Sequence, residues 1–198
     1  MSRYDYFQFS VRKDPRFCQI EELDEKVEKY WKLSNAERMG SLFPPTVELQ
    51  LAPDGGDWVT DFINNIHDVV IFSHKARMIF EAEGVDEEQV EYLPFVLKDK
   101  RGHVIDDEPF YVANALVKVD CFDWQRSVYK TFSHAPQKII DPSLRRMYLR
   151  EEAIPEDAKF FRLGEQTDRC IIRSDLVERL KAEGCTGLSL LAMGDEWP

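Results

Sequence analysis

The chain is short of the residues that most often carry chemistry. Its 198 residues include four cysteines, Cys18, Cys121, Cys170 and Cys185, and four histidines, His67, His74, His103 and His134. No two cysteines stand as CxxC, and no histidine pair falls at i, i+4 or in HExxH. The spacing of a zinc site is therefore missing. The glycine patterns GxGxxG and GxxxxGK[ST] are also missing, as is the GxSxG turn of a serine hydrolase. Pro53-Asp54-Gly55-Gly56-Asp57 does not replace a phosphate loop, because its two aspartates repel phosphate. No metal site, cofactor site or catalytic residue is expected.

Positive charge is scarce too. There are 26 Lys and Arg against 37 Asp and Glu, giving a net charge of −11. Such a chain is repelled by nucleic acid and by anionic membranes. No stretch reaches the ~18 apolar residues of a membrane helix. Met1-Ser2-Arg3-Tyr4-Asp5-Tyr6 lacks the apolar centre of a signal peptide, so a cytoplasmic protein with free thiols is expected.

What is present is globular. Hydrophobic residues make up 43%, including 13 Phe and 7 Tyr, so the core should lean on aromatic rings. Tyr4, Tyr6, Phe7, Phe9 and Val11 roughly alternate and predict a strand, which Asp14-Pro15 ends. Leu23, Val27, Tyr30 and Trp31 share one helical face. Glu22/Lys26, Glu25/Lys29 and Glu28/Lys32 support it at i, i+4, predicting a helix over 19–33. Val47, Leu49 and Leu51 predict a half-buried strand. Val96-Leu97 and Val104-Ile105 flank a hairpin turn at Lys98 to Gly102. Further strands are expected over 110–119, 124–132 and 160–163, with loops at Pro136, Asp141-Pro142 and Ile154-Pro155.

Two stretches follow one plan. Val70-Ile71-Phe72-Ser73 leads through helix formers to Glu83-Gly84 and then to Val90-Glu91-Tyr92-Leu93. Ile171-Ile172-Arg173-Ser174 leads to Glu183-Gly184 and then to Gly187-Leu188-Ser189-Leu190-Leu191. In each, a Ser is expected to cap a helix and a Gly to stop it. The prediction is a single α+β domain over 1–198, a mixed or antiparallel sheet with helices packed on it and two similar strand–helix–strand modules.

Cys121 is the most tempting nucleophile. Asp120 and Asp123 flank it, however, and would raise its pKa. It reads as a packing residue. The strongest charge feature is Glu81, Glu83, Asp86, Glu87, Glu88 and Glu91, six acids within eleven residues and no base among them. Carboxylates at a helix C-terminus oppose the macrodipole. The run is either a solvated turn or a docking patch for a basic partner. Asp106, Asp107 and Glu108 would extend the patch if the hairpin folded back beside it. Trp58 or Trp124 would supply a buried anchor, unless both belong to the core.

Several segments, taken in order, resemble one family. They are Ile71-Phe72-Ser73 with Glu91-Tyr92-Leu93-Pro94-Phe95; Tyr111 to Leu116 running into Val119-Asp120-Cys121-Phe122-Asp123-Trp124; Lys159 to Leu163; and Ile171 to Ser174 with Leu176, Leu180 and Thr186-Gly187-Leu188. The order resembles immunity family eleven, bacterial proteins encoded beside polymorphic or secretion-system toxins. The likeness covers roughly residues 60–193 and is loose over 1–60. It implies an antagonist that binds a cognate toxin domain, possessing no catalytic residues. Two other functions compete with it. One is an adaptor or loading chaperone for a secreted effector, and the other is an enzyme with a dispersed site of Cys121 and a histidine. The oligomeric state is not implied.

Overall fold

The computed structural model describes residues 4–67, 69–140 and 143–196. The expected loop at Asp141-Pro142 and the first three residues of the chain lie outside them. The elements run β1 (Tyr6–Val11), β2 (Gln19–Ile20), β3 (Glu48–Gln50), β4 (Asn64–Asn65), β5 (Ile71–Ser73), α1 (His74–Ala82), β6 (Val90–Lys98), β7 (Phe110–Ala115) and β8 (Lys118–Val119). They continue with β9 (Thr131–Phe132), β10 (Ala135–Ile139), β11 (Phe160–Leu163), β12 (Gln166–Arg173), α2 (Ser174–Ala182) and β13 (Leu188–Ala192). With two α-helices and many strands among the described residues, in mixed and antiparallel sheets, the fold is α+β.

The two modules are present, 100 residues apart, each with a nine-residue helix. β5 and β6 lie on either side of β7 and antiparallel to it, in a four-stranded sheet of order β3-β6-β7-β5. β12 and β13 lie in the same way on either side of β1, in a five-stranded sheet of order β13-β1-β12-β11-β8. Each module is thus a split β-α-β unit. In the first, the inserted strand follows the module in the chain; in the second, it is the first strand of the protein.

Both helices stop where a glycine takes a left-handed turn, Gly84 at φ 82° and Gly184 at φ 67°. Val85 N–H donates to Phe80 O at 2.9 Å and Cys185 N–H to Leu180 O at 2.9 Å, closing the last turn of each helix. The starts differ. Ser73 Oγ accepts from Ala76 N–H at 3.2 Å and caps α1. Ser174 does not cap α2: it is the first helical residue, and its Oγ accepts instead from Asp5 N–H at 3.2 Å. The residue in the capping position is Arg173, which has no side-chain acceptor to offer.

Strand alternation divides the molecule into layers. Phe72, Ile172 and Phe160 face a central core with Phe9, Phe62, Phe80, Leu176 and Leu180, so both sheets and both helices share it. Phe72 packs its ring 4.6 Å from Phe80 and 5.2 Å from Phe62. Ile71, Leu93 and Val112 face the other way, onto a second core closed by Ile20, Val27 and Leu33. Tyr6, Phe161 and Ile171 do the same on the five-stranded sheet, closed by Phe122, Met147 and Leu149.

The helix expected over 19–33 does not form. That stretch holds β2, turns and a 3-10 segment at Tyr30–Ser34. Asp24 diverts the backbone: its carboxylate accepts from Lys26 N–H at 3.0 Å and Glu48 N–H at 2.9 Å. Lys29 then sits at φ 54°, outside helical geometry. The i, i+4 pairs are replaced by Lys26–Asp24 at 3.4 Å and Lys32–Glu37 at 3.2 Å. Of the expected apolar face, Val27 is buried while Tyr30 and Trp31 are exposed. Two expected strands are also broken. The 110–119 stretch divides into β7 and β8, and of 124–132 only β9 is a strand.

Candidate partner-binding surface

Cys121 is fully buried, and burial, with Glu165 nearby, pushes its thiol up to about 12. That is the reverse of what a nucleophile needs. His134 is exposed beside Phe132, and among the described residues no histidine hydrogen-bonds to the thiol. Among the described residues no group of His, Cys, Asp and Glu is placed to hold a metal ion.

The acidic run meets cations from its own helix and from other elements. Glu81 bonds to Arg77 at 2.7 Å, one turn back on α1, and Glu87 reaches the same guanidinium at 3.2 Å. Arg77 is itself held between the rings of Tyr92 and Tyr111, at 4.8 and 4.7 Å. Glu83 pairs with Lys159 at 3.0 Å, and Glu88 with Arg38 at 3.0 Å. Glu91 faces inward: it accepts from Met39 N–H, Gly40 N–H and the buried Asn114 Nδ2 at 2.9, 3.1 and 3.0 Å. Asp86 closes the turn by accepting from Glu88 N–H at 3.0 Å. Only Asp86, Glu87 and Glu88 remain exposed.

The exposed Asp106, Asp107 and Glu108 do not join them. β7 runs antiparallel to β6 with Phe110 opposite Phe95 and Ala115 opposite Val90. The acidic loop before β7 therefore lies at the opposite end of the sheet from the acidic turn before β6. The hairpin that would have carried it back turns at Asp99 to His103 and points away from that turn.

The two tryptophans part company. Trp124 is half-buried against Phe122 and Tyr129, at 4.8 and 5.3 Å, within the third core. Trp58 is 58% exposed. Its ring stacks on Phe17 at 6.3 Å and carries the Arg16 guanidinium at 5.2 Å. The backbone fixes this arrangement. Trp58 N–H donates to Arg16 O, Cys18 N–H donates to Trp58 O, and a side chain on Gly56 would collide with Arg16. Beside the rings opens a cleft of about 250 Å³ lined by Arg12, Lys13, Phe17, Gln19 and Asn64.

Beyond β4, at the other end of the β2–β4 pairing, a second aromatic group is exposed. Tyr30 packs on Trp31 at 6.1 Å and on His67 at 5.5 Å, with Ile66 67% exposed beside them. Sequence reasoning missed this group because it placed Tyr30 and Trp31 on a buried helical face. Large aromatic and Arg side chains, held rigidly and left in solvent, have the composition of interface anchors. The immunity protein family Imm11 matches this chain over residues 9–195, extending the likeness well into the first sixty residues. No curated protein matches it.

Proposed function

The chain belongs to the immunity protein family Imm11, and from that premise we propose that it neutralises a cognate toxin domain by stoichiometric binding. The observation that carries the choice of surface is Trp58, a rigidly mounted and solvent-exposed ring flanked by Phe17 and Arg16. Removing such a ring from water against a partner is where interface energy concentrates. Tyr30 and Trp31 would widen the contact. Asp86, Glu87 and Glu88 form a charged rim for basic residues of the partner. The net charge of −11 favours encounter with a cationic toxin. Action in the cytoplasm fits this role, since a toxin made in the same cell must be met there.

Growth protection tests the reading. Candidate toxic domains from the genes neighbouring this one are expressed with and without the chain, and each purified pair is examined for a 1:1 complex. Rescue with complex formation is expected. An adaptor would bind without rescuing. Growth arrest in the presence of folded, expressed chain sinks the proposal. Trp58→Ala should weaken the complex by about 2 kcal/mol or more, leaving the fold intact.

A further inference from the structure

One segment inverts the charge of the molecule. Residues 124–150 carry six cations, Arg126, Lys130, Lys138, Arg145, Arg146 and Arg150, against one acid, Asp141, in a chain of net charge −11. Most of it forms an arm. Among the described residues β9 and β10 pair only with each other. The arm is closed at its base where Val128 N–H donates to Arg146 O at 2.9 Å and Ser143 Oγ accepts from Lys130 N–H at 2.9 Å.

The inner side of the arm is rooted in the third core by Tyr129, Ile139, Leu144 and Met147. The outer side has a different composition. Arg126, Val128, Lys130 and Phe132 follow one another at every second position, and all four are exposed, Val128 by 51% and Phe132 by 40%. Lys130, Lys138 and Arg145 form no ion pair among the described residues. The acidic turn before β6 is partly neutralised from within the fold, by Arg77, Arg38 and Lys159; in the arm Arg126 reaches Asp123 at 4.0 Å, while Lys130, Lys138 and Arg145 have no such partner among the described residues. Single exposed apolar side chains are ordinary. Here they alternate with Arg126 and the unpaired Lys130 along the start of a two-stranded ribbon that also carries the unpaired Lys138, and the fold already has its anchorage on the other side.

We propose that this arm is a docking surface for an acidic, partly apolar patch on the toxin domain, an inference that rests on the toxin-binding reading above. Charge complementarity selects this occupant. A nucleic acid or an anionic membrane would run past the arm onto the strongly acidic remainder of the chain and be repelled. A second copy docking arm to arm would bring like charges together. A compact acidic patch meets the cations alone, and Val128 and Phe132 supply the apolar contact that holds it. With the acidic rim elsewhere on the molecule, the arm gives the partner one favourable orientation.

The test uses the full chain and the triple variant Lys130→Glu, Lys138→Glu, Arg145→Glu, together with the corresponding Gln triple. All three positions are exposed, and circular dichroism confirms folding. The first probe is a short fluorescein-labelled peptide alternating Glu with Leu, compared with single-stranded DNA and with vesicles of anionic lipid. The native chain should bind the peptide in a salt-sensitive manner, the Gln triple more weakly, and the Glu triple not measurably. The second probe is the toxic domain of the growth assay. Its association with the Glu triple should be about tenfold slower at low salt, with the difference shrinking at high salt. Phe132→Ser should instead speed dissociation. Unchanged peptide binding and unchanged association overturn the proposal, as does preference for DNA or vesicles, or arm-dependent self-association of the native chain. If the native chain rescues no toxin, the functional reading fails while the peptide measurement still decides the arm. If rescue holds and the arm variants bind as the native chain does, only the arm proposal falls.

Discussion

Arg162 is the residue whose replacement should be felt most widely. It lies on β11, is 3% exposed, and ends in the interior. Its guanidinium donates to Ala115 O at the end of β7 at 3.1 Å, to Thr167 O near the start of β12 at 2.8 Å, and to Leu33 O in the 3-10 segment. One side chain thus ties both sheets to the stretch that carries Tyr30 and Trp31. Arg162→Met keeps much of the apolar stem and removes all three donors. A buried polar group left without a partner costs about 1–3 kcal/mol. Three carbonyls, partly re-satisfied by entering water, give a loss of roughly 4 kcal/mol. That is a large share of the ~5–15 kcal/mol that holds a domain folded. Urea unfolding followed by fluorescence measures it as a fall in midpoint at unchanged slope. Hydrogen exchange should show the largest gain in opening across 29–37. Arg162→Lys, with a single ammonium for three acceptors, should fall between the two. A loss under about 1 kcal/mol, or faster exchange everywhere except 29–37, would refute the role given to this side chain.

The other expectations are narrower. Ser73→Ala should cost about 1 kcal/mol in urea unfolding, because Ser73 Oγ also donates to Asp61 at 2.8 Å; Ser174→Ala should cost less, since no cap is lost, and equal losses would contradict the difference between the two helix starts. Cys121→Ser should leave growth protection unchanged, and the native thiol should resist iodoacetamide until the chain is unfolded, because burial raises it to about 12. Asp175, hydrogen-bonded to Arg173 at 2.8 and 2.9 Å, is held below its ordinary range chiefly by that bond. A depressed folded-state carboxylate stabilises fully above its unfolded value and loses that stabilisation as pH falls through the folded one. Stability should therefore drop below about pH 4, and Asp175→Asn should flatten the drop; an unchanged slope would show that the pair contributes nothing.

The modules were legible because their signals are local. An apolar run, a Ser, nine helix formers and a Gly specify a start and a stop that no distant contact has to supply, and Gly84 and Gly184 stand where the left-handed turns are. Period-two alternation likewise marked β1 and β3, and short apolar runs marked β11 and the hairpin after β6. Ser174 was misread by one position. Arg173 occupies the place that Ser73 holds in the first module, and a one-residue shift moves a hydroxyl from the cap to the first turn. The helix expected at 19–33 failed for a non-local reason: Glu48 N–H, far along the chain, shares Asp24 with Lys26.

The sequence by itself determined the α+β class, the two strand–helix–strand modules with their glycine stops, and the acidity, since each is a matter of residue order or count. Tertiary structure alone decided which charges and rings are free. Glu83 and Glu91 read as part of a patch in one dimension, yet Lys159 and the Met39–Gly40 backbone come to them from elsewhere in the fold. Trp58 and Trp124 are one residue type in two settings, one stacked in solvent and one tucked under Tyr129. Exposure and ion pairing depend on which segments meet, and that is fixed by strand order across the two sheets, where β1 completes the module at the far end of the chain.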